Sequence, residues 1–213
     1  KSLGARVVTY GRQEHSRCEA DVLIRDVCVD AEGASASLAW GPRRARLRLA
    51  VPGEHQVLNA AAAWVAGIEC GVEPQAMADG LGTYAGAARR FESRGAVGGR
   101  RLFDDYAHHP TEVAAALAAA RSVVGAGRLI AIQQPHTYSR TQEMYREFAE
   151  VLEAAADHTV MLDVYGARED PVPGVTGALV SDAFADPEHV HYVPDWQQAA
   201  DYTASIARPG DYV

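Results

Sequence analysis

Two carboxylates, a phenol and two imidazoles fall within the six residues from Asp104 to His109, directly before Pro110. Side chains of these types transfer protons, and they also contact nucleotides. Pro110 suits the first turn of a helix, where free N–H groups and a partial positive charge favour an anion. A polar loop in which His109 only caps the helix explains the spacing equally well.

A second polar segment, QPHTYSRT at 134–141, also lies between an apolar run and a helical pattern. Ser139 and Gln142 have the spacing of a capping box, so part of this polarity is expected to be structural. Arg140 would then occupy the first turn, where a cation opposes the helix dipole. That placement favours binding of a carboxylate or phosphate over a solvated surface arginine.

Two further pairs have suggestive spacing. His55 and Asn59 lie four residues apart and share one helix face, where an imidazole can stack on a base and an amide can pair with its edge. The alternative is that both only line the start of the helix. His189 and His191 have the spacing of metal ligands on a strand, but no third ligand is in view, and we favour an exposed edge strand.

Composition narrows the class of protein. The chain has 213 residues, 48% hydrophobic and 23% charged, which indicates a globular protein of one large or two small domains. Its net charge of -8 argues against a nucleic-acid partner. No apolar run reaches the ~20 residues of a membrane span, and no secretory leader is evident. Three widely separated cysteines fit a reducing cytoplasm.

The distribution of basic residues limits how the chain could bind ATP. Of its 20 lysines and arginines, Lys1 is the sole lysine. A phosphate-binding loop needs a lysine after its glycines, so this chain does not contain one. A G-x-G-x-x-G dinucleotide fingerprint is also missing. If the protein uses ATP, the main contacts to the triphosphate lie elsewhere.

The first part of the chain predicts a β-rich region followed by two helices, Glu54–Gly71 and Pro74–Leu81. The glycine-punctuated segment Gly82–Arg94 is interpreted as a hinge between two domains. The predicted strands are Ala5–Tyr10, Asp21–Asp30, Ala34–Trp40 and Ala45–Val51.

From Arg101 onward, strands and helices alternate, which predicts a mostly parallel sheet covered on both faces. Ligands of such sheets bind beyond the carboxyl ends of the strands. The predicted strands are Arg101–Asp104, Arg128–Gln133, His158–Val164 and Val190–Val193, and the helices are Pro110–Val124, Arg140–Ala156, Thr176–Ala185 and Trp196–Ala207. The loops to inspect are therefore Asp105–Pro110, Gln134–Ser139 and Tyr165–Pro173. Gly210–Val213 predicts another strand, and we expect the chain to continue in a longer protein.

Five motifs in order resemble the Mur ligase family, and together they cover essentially the whole chain. They are VPGEHQVLNA (51–60), ARRF (88–91), DDYAHHPTE (104–112), QPHTYSRT (134–141) and DVYGARE (163–169). The resemblance implies an α/β fold. Residues 1–84 would be the carboxy-terminal part of a central ATP-binding domain, and residues 85–213 a dinucleotide-fold-like ligase domain. The missing amino-terminal domains would hold the UDP-sugar and the phosphate-binding loop.

The resemblance also implies a reaction, in which ATP converts the carboxylate of UDP-N-acetylmuramate to an acyl phosphate that the amine of L-alanine attacks. Magnesium and cationic side chains would stabilise the phosphoryl charge. The metal ligands are expected upstream, so no metal ligand is assigned here. We therefore expect the 213-residue fragment alone to be inactive.

Site residues carried over by motif fall into two groups. Those resembling nucleotide contacts are His55 and Asn59 at the adenine, Arg90 at the phosphates and Asp105 at the ribose. Those resembling residues around the amino-acid and acyl-phosphate site are Tyr106, His108 and Arg140.

Thr137 departs from the family pattern, because many relatives carry an arginine there. This leaves Arg140 as the stronger candidate to bind the alanine carboxylate. Alternatives remain: a related recycling ligase that adds a tripeptide to the same UDP-sugar, or a non-catalytic binding module of the same fold. The retained Asp105, His108 and Arg140 argue against a relic, and an oxidoreductase lacks its glycine fingerprint.

Overall fold

The computed structural model describes residues 6–12, 20–30 and 32–213. The chain forms two compact units, Lys1–Gly86 and Ala87–Val213, each described by itself below.

The first unit contains a four-stranded sheet in the order β1-β2-β3-β4. β1 runs parallel to β2, whereas β2, β3 and β4 are antiparallel. In β3 and β4, apolar and polar residues alternate, so one face is buried and the other exposed. The strands are β1 (Tyr10–Arg12), β2 (Val22–Asp30), β3 (Gly33–Trp40) and β4 (Arg43–Leu49).

Two helices, α1 (Glu54–Glu69) and α2 (Pro74–Gly82), complete this unit. Trp64 of α1 is fully buried in the core, and its indole N–H donates to the Pro74 carbonyl at 2.8 Å. The helices approach closely at Gly67, where a Cβ would lie 2.4 Å from the Met77 sulfur. A larger residue at this position would therefore require the flexible Met77 side chain to move.

The antiparallel strands and both helices confirm the prediction for this region, but the predicted strand Ala5–Tyr10 is wrong in its position. Ala5 lies outside the described residues, residues 6–9 are not in a strand, and β1 begins only at Tyr10. The three residues of β1 pair with the first residues of β2. The bounds of β1 are therefore set by this pairing and not by the apolar residues in its own sequence.

The second unit alternates strands and helices, as the sequence predicts. The strands are β5 (Glu92–Val97), β6 (Arg100–Asp104), β7 (Ile130–Gln133), β8 (His158–Met161) and β9 (Val190–Tyr192). The helices are α3 (Pro110–Val124), α4 (Tyr138–Ala155), α5 (Gly177–Ser181) and α6 (Trp196–Ile206).

β7, β8 and β9 form a parallel sheet in that order, and residues near the carboxyl end of the chain extend it. Tyr212 forms parallel bridges to both Arg101 and Leu129, which places it between β6 and β7. The Phe103 N–H donates to the Val213 carbonyl at 2.8 Å. β5, β6, this segment and β7–β9 are therefore hydrogen-bonded in series, with β5 and β6 antiparallel.

Helices cover both faces of this sheet. Buried residues of α3, α4 and α5 pack on one face, around Phe148 and Met161. α6 covers the other face and packs on Ile130 and Val160. The prediction of a mostly parallel sheet with two covered faces is confirmed.

The predicted hinge Gly82–Arg94 is partly wrong, because β5 begins at Glu92 and forms a hairpin with β6. Gly98 and Gly99 make the turn, with φ of 57° and 78°. β5 is exposed along nearly its whole length and has no apolar alternation. A strand of this kind leaves little signal in the sequence.

Among the described residues, no helix has both the length and the apolar character required to cross a membrane.

Candidate functional site

A cavity of about 460 Å³ lies at the carboxyl ends of β6 and β7, where the sequence places two of its three functional loops. Arg89, Tyr106, His108, His136 and Tyr165 are among the residues that line it. A smaller cavity of about 130 Å³ has mainly apolar walls from β6, α3 and β7. The titratable side chains therefore converge on the larger cavity.

Asp105 connects the loop after β6 to the segment before β5. Its Oδ1 accepts the Ala107 N–H at 2.7 Å, and its Oδ2 accepts the Phe91 N–H at 2.8 Å. Arg89 and Phe91 have φ of 57° and 48°, a region that few residues other than glycine adopt. The carboxylate thus holds a strained turn in place, and it also lines the cavity.

Arg89 and Arg90 differ in their surroundings. The Arg89 carbonyl accepts the Tyr106 N–H at 2.7 Å, and its guanidinium lies 4.7 Å from the centre of the Tyr106 ring. Its Nε is 3.6 Å from an oxygen of Asp104. Arg90, the predicted phosphate contact, is exposed and is not among the lining residues.

His108 is held by its own loop and by α3. Its Nδ1 lies 2.9 Å from the Tyr106 carbonyl oxygen and 3.4 Å from Oε2 of Glu112. The same Oε2 accepts the His108 N–H at 3.1 Å. The neighbouring His109 is the N-cap of α3, as expected, with Nδ1 accepting the Thr111 N–H at 3.3 Å.

His136 brings a second imidazole to the cavity. Its ring centre is 5.7 Å from that of His108 and 5.6 Å from that of Tyr165. Its Nδ1 is buried without a hydrogen-bond partner. Burial, and then the positive charges of Arg140 and His108, lower the pKa of His136 and favour the neutral ring, whereas Glu169 opposes them.

The predicted capping box at α4 is wrong. The N-cap is Thr137, and Ser139 lies inside the helix. Its N–H donates to Oε2 of Glu169 at 2.8 Å, and its hydroxyl donates to Oε1 of the same residue. These two bonds lower the pKa of Glu169 against a small opposing effect of burial. A carboxylate 30 residues away therefore stabilises the helix start.

Arg140 lies in the first turn of α4, as predicted, but is not among the residues lining the cavity. It is half-buried, and its Nη1 is 3.4 Å from the His136 carbonyl oxygen. In the described part of the chain, no carboxylate oxygen lies within 4.0 Å of its guanidinium. Its charge is therefore close to the cavity and available to an anionic ligand.

His55 and Asn59 belong to the first unit, on the first two turns of α1. His55 is half-buried and Asn59 is exposed. Gly53 at the N-cap, with φ of 113°, provides no side-chain cap. The adenine role assigned to this pair stays a prediction.

His191 fits the interpretation as an exposed edge strand, whereas His189 lies in the 3-10 turn Pro187–His189 directly before β9. Both are exposed, β9 is the last strand in its sheet, and the His191 ring stacks on Tyr202 at 4.2 Å. Within the residues that the structure describes, no group of three or more His, Cys, Asp or Glu side chains is arranged to hold a metal ion.

Sequence reasoning missed four residues around the cavity. Arg89, His136 and Tyr165 line it, and Glu112 contacts His108. All four lie within motifs that the sequence analysis identifies, but no role was assigned to them. Their positions in the sequence could have indicated two of them. His136 lies four residues before Arg140, and Glu112 lies four residues after His108, and both Arg140 and His108 had been assigned a role.

Comparison with known families gives a match over residues 89–213 to the family described as Mur ligase, glutamate ligase domain. A UDP-N-acetylmuramate–L-alanine ligase of Clavibacter sepedonicus is 55% identical over 99% of this chain and 43% of its own length. One of Kineococcus radiotolerans is 52% identical over 99% of this chain and 44% of its own. The chain thus spans less than half the length of these relatives.

Solved structures show the same fold. A Thermotoga maritima UDP-N-acetylmuramate-alanine ligase has a TM-score of 0.76 at 23% identity, covering 96% of this chain and 43% of that one. A murein peptide ligase of Psychrobacter arcticus has a TM-score of 0.63 at 24% identity, covering 91% and 40%.

Proposed function

This chain belongs to the Mur ligase family, and we propose that it is the carboxy-terminal part of an ATP-dependent ligase that joins L-alanine to UDP-N-acetylmuramate. The observation that carries this proposal is the 55% identity, over 99% of the chain, to a relative named for that activity. The reaction is an acyl transfer, in which the activated carboxyl group of the sugar is attacked by the amine of L-alanine. The domains that bind the UDP-sugar belong to the rest of the protein.

The cavity at the carboxyl ends of β6 and β7 supports this assignment. Acyl transfer to an amine requires a proton acceptor for the amine and cations for the carboxylate and the leaving phosphate. We assign Tyr106 and His108 to the reacting amine and carbonyl. We assign Arg140 to the alanine carboxylate, because a guanidinium binds a carboxylate through two parallel hydrogen bonds.

The nucleotide contacts are part of the same proposal. We assign His55 and Asn59 to the adenine, Arg90 to the phosphates and Asp105 to the ribose. ATP supplies the phosphoryl group that activates the carboxylate. We assign the magnesium ligands to the domains upstream of this chain. Cys28 and Cys70 are unpaired, which suits a cytoplasmic enzyme.

The test uses the full-length protein with ATP, magnesium and UDP-N-acetylmuramate. L-alanine and the tripeptide of the recycling ligase are compared as acceptors, and phosphate release and the ligated product are measured. We expect ligation with L-alanine and little with the tripeptide. The fragment 1–213, without a phosphate-binding lysine, should give none.

Preference for the tripeptide would assign the protein to the recycling reaction. No ligation with either acceptor, in a folded protein that binds the UDP-sugar, would favour a binding module. Ligation by the purified fragment alone would contradict the proposed division of the active site between the domains.

A further inference from the structure

We propose that Glu112 is a positioning residue that keeps the proton of His108 on Nδ1 and leaves Nε2 as the base for the incoming amine. This inference rests on the proposed function and deepens it, because it names the proton acceptor and the residue that orients it.

The neighbours of Nδ1 determine the tautomer of His108. The Tyr106 carbonyl oxygen, 2.9 Å away, can only accept a hydrogen bond. The ionised Glu112 carboxylate, 3.4 Å away, is also only an acceptor. Nδ1 must therefore carry a proton. In a neutral imidazole, Nε2 then has the free lone pair, and the ring that carries it lines the cavity.

The charge of Glu112 is maintained by its surroundings. Burial opposes its ionisation, but the His108 N–H and the positive charges of His108 and Arg90 together lower the pKa of Glu112. The attraction between two charges is mutual, so the carboxylate also stabilises the imidazolium that forms when His108 accepts a proton.

Charged groups of both signs surround His108, because Arg89, Asp104 and Asp105 line the same cavity. His136, whose pKa is affected by the charges of both His108 and Arg140, faces it from the start of α4. The positive charges of Arg90 and His109 lower the pKa of Glu112, the carboxylate beside the His108 ring. Glu112 is the carboxylate that the structure places within 4.0 Å of the His108 ring. It is thus the carboxylate in direct contact with the ring that accepts the proton.

The proton transfer has a defined balance. L-alanine enters as an ammonium ion, one of its N–H bonds breaks, and the proton forms a new bond to Nε2 of His108. The electron pair that remains on the nitrogen forms the C–N bond to the activated carboxyl carbon. The C–O bond to phosphate breaks, and its electron pair leaves with the phosphate. The attacking nitrogen then loses a second proton, which the departing phosphate accepts, and the amide is formed.

A purely structural role for Glu112 makes a different prediction. Glu112 lies in the first turn of α3, and its carboxylate accepts the His108 N–H, which stabilises the helix start. That role requires only an acceptor. Glutamine retains an acceptor oxygen of similar shape but has no charge, so Glu112→Gln separates the two roles.

The test measures kcat/KM for L-alanine against pH in the full-length protein at saturating ATP and UDP-sugar. In Glu112→Gln we expect about a 10-fold loss near neutral pH, since a weaker and less well oriented base remains. The acidic limb should move about 0.5–1 pH unit lower, because the imidazolium loses a stabilising charge. The matched control is Glu150→Gln, which removes an exposed carboxylate from α4 and should behave as wild type.

Hydroxylamine serves as a second acceptor, since its nitrogen is unprotonated at neutral pH and needs no base. Formation of the hydroxamate should change less than about twofold in Glu112→Gln. An equal loss with both acceptors, or an unchanged acidic limb and kcat/KM, would show that Glu112 only supports the fold.

A measurement without any variant covers the case in which Glu112→Gln does not fold. Nitrogen NMR of His108 in the wild-type protein should show the proton on Nδ1 in the neutral ring, and a proton on Nε2 overturns the proposal. Failure of the wild type to use L-alanine would instead refute the proposed function, while the NMR result would still test the tautomer.

Discussion

Replacing Arg140 by alanine in the full-length protein should weaken the use of L-alanine with little effect on folding. A free amino acid presents a carboxylate, and the guanidinium is the side chain best suited to bind it in two-point geometry. Arg140 is half-buried beside the cavity, and among the described residues its guanidinium donates a hydrogen bond of 3.4 Å to the His136 carbonyl oxygen. Its charge also lowers the pKa of Glu169, but no carboxylate oxygen of the described residues lies within 4.0 Å of its guanidinium.

The expected magnitude follows from these contacts. A hydrogen bond to a charged group contributes about 1.5–3 kcal/mol, so kcat/KM for L-alanine should fall about 10- to 150-fold. The bond to His136 is long and contributes little to folding. A cation in the first turn of a helix is unfavourable by about 0.3–1 kcal/mol because it opposes the helix dipole. Removing the Arg140 charge should therefore offset the loss of its hydrogen bond to His136.

The assay is the L-alanine dependence of ligation at saturating ATP and UDP-sugar, with thermal unfolding measured in parallel. Arg146→Ala is the matched control, because Arg146 is exposed on the same helix and lies over the ring of its neighbour Tyr145. The control should keep wild-type kinetics. The KM for ATP should change little in either variant.

A change below about threefold in Arg140→Ala, with folding intact, would refute the assignment of Arg140 to the carboxylate. Thr137→Arg in this background is expected to restore part of the activity. Thr137 has φ of 71°, an unfavourable conformation for a β-branched residue, so the backbone should accept the unbranched arginine more readily.

Two further predictions concern other parts of the chain. Asn59→Ala should raise the KM for ATP about 2- to 12-fold, since one hydrogen bond to the adenine contributes roughly 0.5–1.5 kcal/mol. The KM for L-alanine should not change. An unchanged KM for ATP would show that Asn59 has only a structural role. Burial, and then the charge of His191, lower the pKa of His158 in the folded state below its usual value of 6.5. As the pH falls, the unfolded chain therefore binds the proton before the folded chain does. The free energy of unfolding should for this reason decrease as the pH drops below 6.5. In His158→Gln this loss should be smaller in urea unfolding between pH 5 and 8, whereas an identical pH dependence would contradict the assignment.

Periodicity and turn residues predicted most of the fold. The bounds of α1, α2 and α3 lie within two residues of the prediction, because glycine, proline and apolar spacing define them locally. The hairpin of β5 and β6 was missed, since pairing and not local pattern creates it. The same reason explains the displacement of β1.

The site was predictable only in part. The rule that ligands bind beyond the carboxyl ends of parallel strands located the two loops, and Tyr106 and His108 indeed line one cavity. The cation–π contact between Arg89 and Tyr106 joins residues 17 positions apart, and the bond between Glu169 and Ser139 joins residues 30 apart. Local spacing contains no information about such long-range contacts.

Glu169 determines how a ligand carboxylate can be bound at α4. A helix start normally offers its free N–H groups to an anion. Here the Ser139 N–H and hydroxyl already donate to Glu169, whose lowered pKa keeps it ionised at neutral pH. A ligand carboxylate cannot use those groups without displacing Glu169, so we expect it to bind the Arg140 guanidinium. For that reason, we expect no backbone group to compensate for the loss of Arg140.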